Sequence, residues 1–347
     1  ITTFQVGMTS SFYNLNTTSA SEKAKKTTFD YMIMGFPVSK KVGVSLGLLP
    51  QSAVGYRLSS DTRSVNGLFK QYKGKGGVNK VFVGAGYQIT PKFSVGMDFQ
   101  YLFGILNTQS DVFDQSIIYG SREINESTVS GLAVNAGLNF KTKFNNKLNF
   151  FSSLTYAPEA KLNSINTRNV SLVSALANGS IVAASSDTEV NVADTKLIVP
   201  SKLAIGAGLG NRKWFLGGDI AFSGTGNQVN RFENYSNVSY ENGVKVAIGG
   251  FFIPKFDSFN SYFQRVTYRG GFKYENTGLV INNTTVKDKS VTLGFGLPIS
   301  GTFSSLNLGA EYGSRGTTSN GLIKENYFSI NIGLLFNDKW FRKTLYN

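Results

Sequence analysis

Between positions 326 and 336 the chain alternates oily residues with small or polar ones at almost every step. Phe328, Ile330, Ile332, Leu334 and Phe336 fall on one face, with Tyr327, Ser329, Asn331, Gly333 and Leu335 on the other. A period of two belongs to an extended strand, whose successive side chains point to opposite sides of a sheet. The oily face must be covered either by a second protein layer or by lipid, and that choice governs the rest of the chain. Trp340 and Phe341 follow soon after, an aromatic cluster suited to a membrane–water boundary.

The same alternation recurs along the whole sequence. Phe93, Val95, Met97, Phe99, Tyr101 and Phe103 oppose Ser94, Gly96, Asp98 and Gln100. Other oily faces are Phe4, Val6 and Met8; Val42, Val44, Leu46 and Leu48; Val81, Val83, Ala85 and Tyr87; and Leu132, Val134, Ala136, Leu138 and Phe140. In the second half come Leu203, Ile205, Ala207 and Leu209; Val291, Leu293, Phe295 and Leu297; and Leu306, Leu308, Ala310 and Tyr312. Alternation and turn signals together predict about 14 strands, a chain that is all-β, forming a single unit over 1–347. No window reaches the ~18 consecutive apolar residues of a spanning helix. A membrane fold for this chain is therefore a closed barrel, which satisfies every backbone group in lipid. The mean hydropathy of −0.09 fits a barrel, because lipid-facing and lumen-facing residues average out.

The connections separate by length. Those near 39–41, 90–92, 143–147, 210–213 and 298–301 are short, and those near 56–76, 104–126, 158–197, 223–241 and 275–289 are long. Short periplasmic turns and long outer loops mark an outer-membrane barrel, whereas a soluble sandwich has no reason to sort its loops by parity. The stretch 158–197, rich in Ser, Asn and Ala, is expected to be irregular. Aromatic residues gather beside the short turns: Phe36, Tyr87, Phe93, Phe140, Phe144, Trp214, Phe252, Tyr262, Phe303, Phe336 and Trp340. The expected fold is a transmembrane antiparallel up-and-down β-barrel in a bacterial outer membrane. Ile1 already stands in an alternating strand, so a signal peptide and any segment plugging the lumen are expected to lie outside this sequence.

The hairpin Met34-Gly35-Phe36-Pro37-Val38-Ser39-Lys40-Lys41-Val42-Gly43-Val44-Ser45-Leu46-Gly47-Leu48-Leu49-Pro50 resembles the corresponding hairpin of the FadL/TodX-type long-chain fatty acid transporter family, including its PorV-like relatives. The resemblance implies a fourteen-stranded barrel that carries hydrophobic ligands through a lumen blocked by an N-terminal hatch; here no hatch can be pointed to. It also implies two functions of different kinds. One is a channel or transporter for hydrophobic or amphipathic, fatty-acid-like small molecules. The other is a non-transporting accessory barrel in an outer-membrane protein secretion or assembly complex.

The chain has no His and no Cys, which excludes Ser-His-Asp and Cys-His catalysis and His-containing zinc sites. Nothing in the Asp and Glu spacing singles out a carboxylate pair, so neither an enzyme, a metal nor a cofactor is expected. The Gly-rich pieces 206–210 and 74–77 do not open a predicted helix and lack the context of a phosphate loop. Charged residues do occur at inward positions: Asp98, Asp219, Lys245, Arg265, Arg269, Lys273 and Glu311. Charge at membrane depth demands a wet or paired interior. Two readings fit: ion pairs across the lumen, with Asp219 joined to Lys245 or Arg269, or a polar constriction on a ligand path.

The formal net charge is +14, from 35 Lys and Arg against 21 Asp and Glu. Lys40, Lys41, Lys92, Lys141, Lys143, Lys147, Arg212 and Lys213, with Lys255, Lys339, Arg342 and Lys343, belong to the short-turn side and the tail, where only Asp257 and Asp338 oppose them. The long loops mix signs, which argues against a nucleic-acid groove. A basic periplasmic rim beside an aromatic girdle points to the lipid bilayer, through anionic inner-leaflet headgroups, or to outer-membrane or periplasmic protein partners.

Overall fold

The computed structural model describes residues 1–62, 67–114, 116–144, 147–175, 181–228, 237–300 and 302–338. The first six strands are β1 (Thr2–Asn16), β2 (Ser21–Pro37), β3 (Val42–Thr62), β4 (Leu68–Gln88), β5 (Phe93–Asp114) and β6 (Gly120–Lys143). The next seven are β7 (Asn149–Ala157), β8 (Ala160–Ala175), β9 (Ile181–Ala183), β10 (Thr188–Val190), β11 (Thr195–Val199), β12 (Lys202–Gly210) and β13 (Trp214–Ser223). The last six are β14 (Val238–Tyr240), β15 (Gly243–Phe252), β16 (Thr267–Ile281), β17 (Thr284–Pro298), β18 (Ser305–Arg315) and β19 (Lys324–Asp338). Joined end to end, β7 with β8, β11 with β12 and β14 with β15 each make one stave, while the three-residue β9 and β10 pair with β8 and add no stave. The result is a closed antiparallel barrel of 14 strands.

Closure is made by the two terminal strands. β1 pairs with β19 without a break, from Thr2 opposite Asp338 to Asn16 opposite Lys324. The alternating residues of 326–336 thus share a wall with Phe4, Val6, Met8 and Phe12. Their outward face is exposed, as is that of β5 at Met97, Phe99 and Tyr101 and that of β17 at Val291 and Leu293. An oily surface running over neighbouring strands suits lipid. Among the described residues no helix is long and apolar enough to cross a membrane.

The long connections differ from their expected form. β3 continues to Thr62 and β4 starts at Leu68, β5 runs to Asp114 and β6 starts at Gly120, so 56–76 and 104–126 are mostly strand. The stretch 158–197, expected to be irregular, holds β8 and three short strands against it. The region 275–289 is a tight hairpin in which Asn282 and Asn283 adopt φ of 49° and 58°, the left-handed pair that a two-residue turn requires. These extensions carry polar residues on both faces, which erases the period of two without removing the backbone ladder. On the short-turn end, the connection 253–266 between β15 and β16 is longer than its counterparts. Trp340 and the basic residues Lys339, Arg342 and Lys343 lie outside the described residues.

The barrel interior changes along its length. Val78, Leu102, Val129 and Leu162 come from β4, β5, β6 and β8, and each is no more than 2% exposed. They form a dry cluster with Leu106, Ala133, Leu197 and Val199. Their strand registers put them on the same face as Asp98, Gln100 and Asn135, so this packing is inside the barrel. Gly131 makes room for it, since a Cβ there would stand 2.7 Å from the Leu162 side chain.

Candidate lumen site and its relatives

On the wall built by β16, β17, β18 and β19, charges meet in one cluster. Asp288 is 1% exposed and pairs with Arg315 at 2.9 Å and with Lys273 at 3.7 Å. Lys273 also contacts Glu311 at 3.1 Å, and Arg315 reaches Glu325 at 3.9 Å. The Tyr327 hydroxyl donates to Asp288 at 2.8 Å. Gly313 is what lets Tyr327 lie there, because a Cβ on it would stand 2.3 Å from the phenol ring. On the adjoining strands Thr9 bridges Asp30 and Asn331, and Ser11 and Ser329 share a hydrogen bond of 2.7 Å. Compensation of this kind is what makes charge tolerable at depth.

A cavity of about 610 Å³ lies inside the barrel against β7, β12, β13, β15 and β16. Its floor is an aromatic row: Phe151 lies edge-on to Phe215 at 5.9 Å, and Phe215 stacks on Phe251 at 6.0 Å. Gly208 and Gly217 seat the Phe215 ring, where Cβ atoms would approach to 2.3 and 2.9 Å. Asp219, Lys245, Arg269 and Lys273 line the same cavity. Arg269 donates to the Asn307 side chain at 2.8 Å. Among the described residues no ion pair involves Asp219, Lys245 or Arg269.

The expected pairing of Asp219 with Lys245 or Arg269 is therefore not formed, for a reason of register. Asp219 stands opposite Ala247, and Ala247 opposite Lys273; Lys245 lies two residues before Ala247 on its strand, and Arg269 four residues before Lys273 on the next. Lys273 is instead drawn to Glu311 and Asp288. Asp98 lines a second cavity of about 410 Å³ and accepts hydrogen bonds from Gln100 and Asn135. Arg265 is not on a strand: it sits in the connection 253–266, 5.4 Å from the Tyr262 ring, with Nε buried and unbonded among the described residues. Sequence reasoning missed Asp288 and Arg315, which lie just beyond the clear alternation, and placed Tyr327 on the inner face without a role. Among the described residues no cluster of acids could hold a metal ion.

The basic side chains expected on one rim are exposed and collect at the short-turn end, at Lys40, Lys41, Lys92, Lys141, Lys143, Lys147, Arg212 and Lys213. Backbone bonds tie this rim together: Gln88 donates to the Lys41 carbonyl at 2.8 Å, Lys141 to that of Lys92 at 2.8 Å, and Ile253 to that of Lys213 at 2.7 Å.

A closed fourteen-strand wall, oily outside and polar with compensated charge inside, is the architecture of an outer-membrane-type β-barrel. The structure is similar to the toluene transporter TbuX of Ralstonia pickettii, with a TM-score of 0.64 at 14% identity over 97% of this chain and 90% of that one. It is likewise similar to the toluene transporter TodX of P. putida, with a TM-score of 0.61 at 15% identity over 96% and 89%. The CymD monoaromatic hydrocarbon channel gives 0.60 at 11% over 98% and 89%. At these identities the likeness is one of fold. The family model for BamG matches residues 1–347, and the chain belongs to the BamG family. The FadL/TodX resemblance read from the sequence thus holds for the barrel, while the matching family carries a different name. No curated protein sequence matches the chain.

Proposed function

We propose that this protein sits in a bacterial outer membrane and serves as a barrel subunit of a larger protein assembly or secretion complex, rather than as an open pore. The observation that carries this is the packed interior: Val78, Leu102, Val129 and Leu162 on one wall and Asp288, Ser290 and Tyr327 on another are all buried beyond the short-turn half. A wide aqueous channel would leave such inward groups wet. Two further features support it. The BamG family model covers the whole chain, and its name hints at complex partners. The connection 253–266 presents Phe259 fully exposed and Phe263 at 73%, on a loop held by Tyr262 donating to the Pro298 carbonyl and Tyr268 to that of Phe263. Large apolar groups displayed by a tied-down loop suit a contact surface. Purified from its native membrane, the tagged protein is expected to bring a defined set of outer-membrane partners and, alone in planar bilayers, to show no sustained conductance. Phe259→Ala with Phe263→Ala should weaken that association at least severalfold. Open-pore conductance without partners would reverse the reading.

A second reading rests on the cavity of about 610 Å³, where Phe151 and Phe215 share the lining with Lys245 and Arg269. Such a site suits a hydrophobic molecule with an anionic end, and the structural neighbours bear the names of toluene transporters and a hydrocarbon channel. Saturable binding of a fluorescent fatty acid, lost in Arg269→Gln with Lys245→Gln, would support it; binding unaltered by that pair would not.

A further inference from the structure

On the outer wall, where β3, β4, β5, β6 and β7 approach their short turns, the surface is concave. Ala85 and Ala136 form its floor, and Tyr87, Met97, Leu138 and Tyr156 its sides, around a space of about 540 Å³. The strand pairing explains the hollow. Ala85 stands opposite Met97, and Met97 opposite Ala136, so two small residues flank one long one in a single row. Tyr87 and Leu138 are neighbours of Val95 in the next row. All four flanking side chains are about half exposed. One step nearer the rim, Phe93, Phe140 and Phe150 form an aromatic chain with ring separations of 4.7 and 6.5 Å.

Immediately past this hollow the charge is of one sign. Lys41 precedes Val42, which lines the hollow opposite Tyr87, and Lys92 stands three residues before Val95. Both are exposed, Lys40 lies on the turn of Lys41, and Lys141 and Lys143 stand at the short-turn end of β6. No Asp or Glu occurs in 37–43, 88–94 or 139–149. An apolar trough closed by an aromatic belt and capped by uncompensated cations is complementary to one amphiphile, whose chain fills the trough and whose anionic head meets the lysines.

We propose that this hollow is a specific site for an anionic phospholipid of the inner leaflet, with an acyl chain laid over Ala85 and Ala136 and the phosphate at Lys41 and Lys92. The site needs only that the barrel be in a bilayer, and so it stands apart from both functional readings. Native mass spectrometry on the detergent-solubilised full chain, offered equimolar dioleoyl-phosphatidylglycerol and dioleoyl-phosphatidylethanolamine, tests it. One phosphatidylglycerol should be retained in excess. Lys41→Gln or Lys92→Gln should each lower that preference roughly fivefold, the weight of one Lys near an anionic surface. Ala136→Phe, which fills the floor, should abolish retention of both lipids. Arg212→Gln with Lys213→Gln removes two charges, twice that of either single variant, from a part of the rim outside the hollow and should leave retention unchanged. Equal retention of the two lipids, no retained lipid, or an equal loss from the Arg212 and Lys213 pair would each overturn the proposal. The lysines are outside the strand ladders, so the charge variants remain decisive even where Ala136→Phe fails to fold.

Discussion

Asp288 is the residue whose surroundings say most about how the interior is held. It is 1% exposed and faces Arg315, Lys273 and the Tyr327 hydroxyl together. Removing one member of a buried ion pair leaves the others uncompensated, at a cost of about 3 to 5 kcal/mol. Asp288→Ala should fall at the low end of about 3 kcal/mol, because Glu311 and Glu325 still face the cations. Urea unfolding in detergent, followed by tryptophan fluorescence, measures it. Asp219→Asn makes the contrast: that carboxylate is exposed in the lumen with no ion pair among the described residues, so its loss should stay within about 0.5 kcal/mol. The inward placement of Asp98, Asp219, Lys273 and Glu311 was legible from alternation, because parity alone sets a face. Which charges meet was not, since a four-residue difference in height separates Lys273 from Arg269 on the same strand.

At the level of elements, the strands that cross the apolar band were readable and their extensions were not. β5 shows six oily outward residues from Phe93 to Phe103 and then continues through Asn107, Gln109 and Asp111, where no oily stripe remains. Its ladder with β6 nonetheless runs on to Val112 opposite Ser121. Beyond lipid, water can meet either face, and backbone pairing alone keeps the strand. The hairpin between β16 and β17 gives a direct test. Asn283 holds φ of 58°, a region costing a branched residue roughly 1 to 2 kcal/mol. Asn283→Val should therefore make this hairpin the preferred site of limited proteolysis, whereas Asn283→Gly should leave the cleavage pattern unchanged. The two-residue turn was present in the sequence as Asn282-Asn283, but the polar residues around it read as loop.

For the whole molecule, closure through β1 and β19 decides stability. Ile332 faces outward opposite Met8, and Asn331 inward opposite Thr9. A cation on the lipid face near mid-membrane costs about 2 to 4 kcal/mol. Ile332→Arg should thus lower the temperature at which the folded barrel loses its compact electrophoretic mobility, while Asn331→Arg should shift it far less. Spin labels at 97 and 98 check the same wall: oxygen should quench Met97→Cys and an aqueous relaxant Asp98→Cys, and equal lipid exposure would contradict a barrel.

By itself the amino-acid sequence determined that this chain forms an up-and-down barrel, because a repeated period of two with no long apolar run leaves few ways to cover so much oily strand. It also determined the basic rim, because turn residues stay at the turn whatever the strands do. Only the tertiary structure decided the packed interior and the outer hollow. The interior depends on how four strands bring Val78, Leu102, Val129 and Leu162 together, and the hollow on Ala85 and Ala136 flanking Met97 in one row. Both are consequences of register between neighbouring strands, and register is a property of paired backbones that no single strand carries.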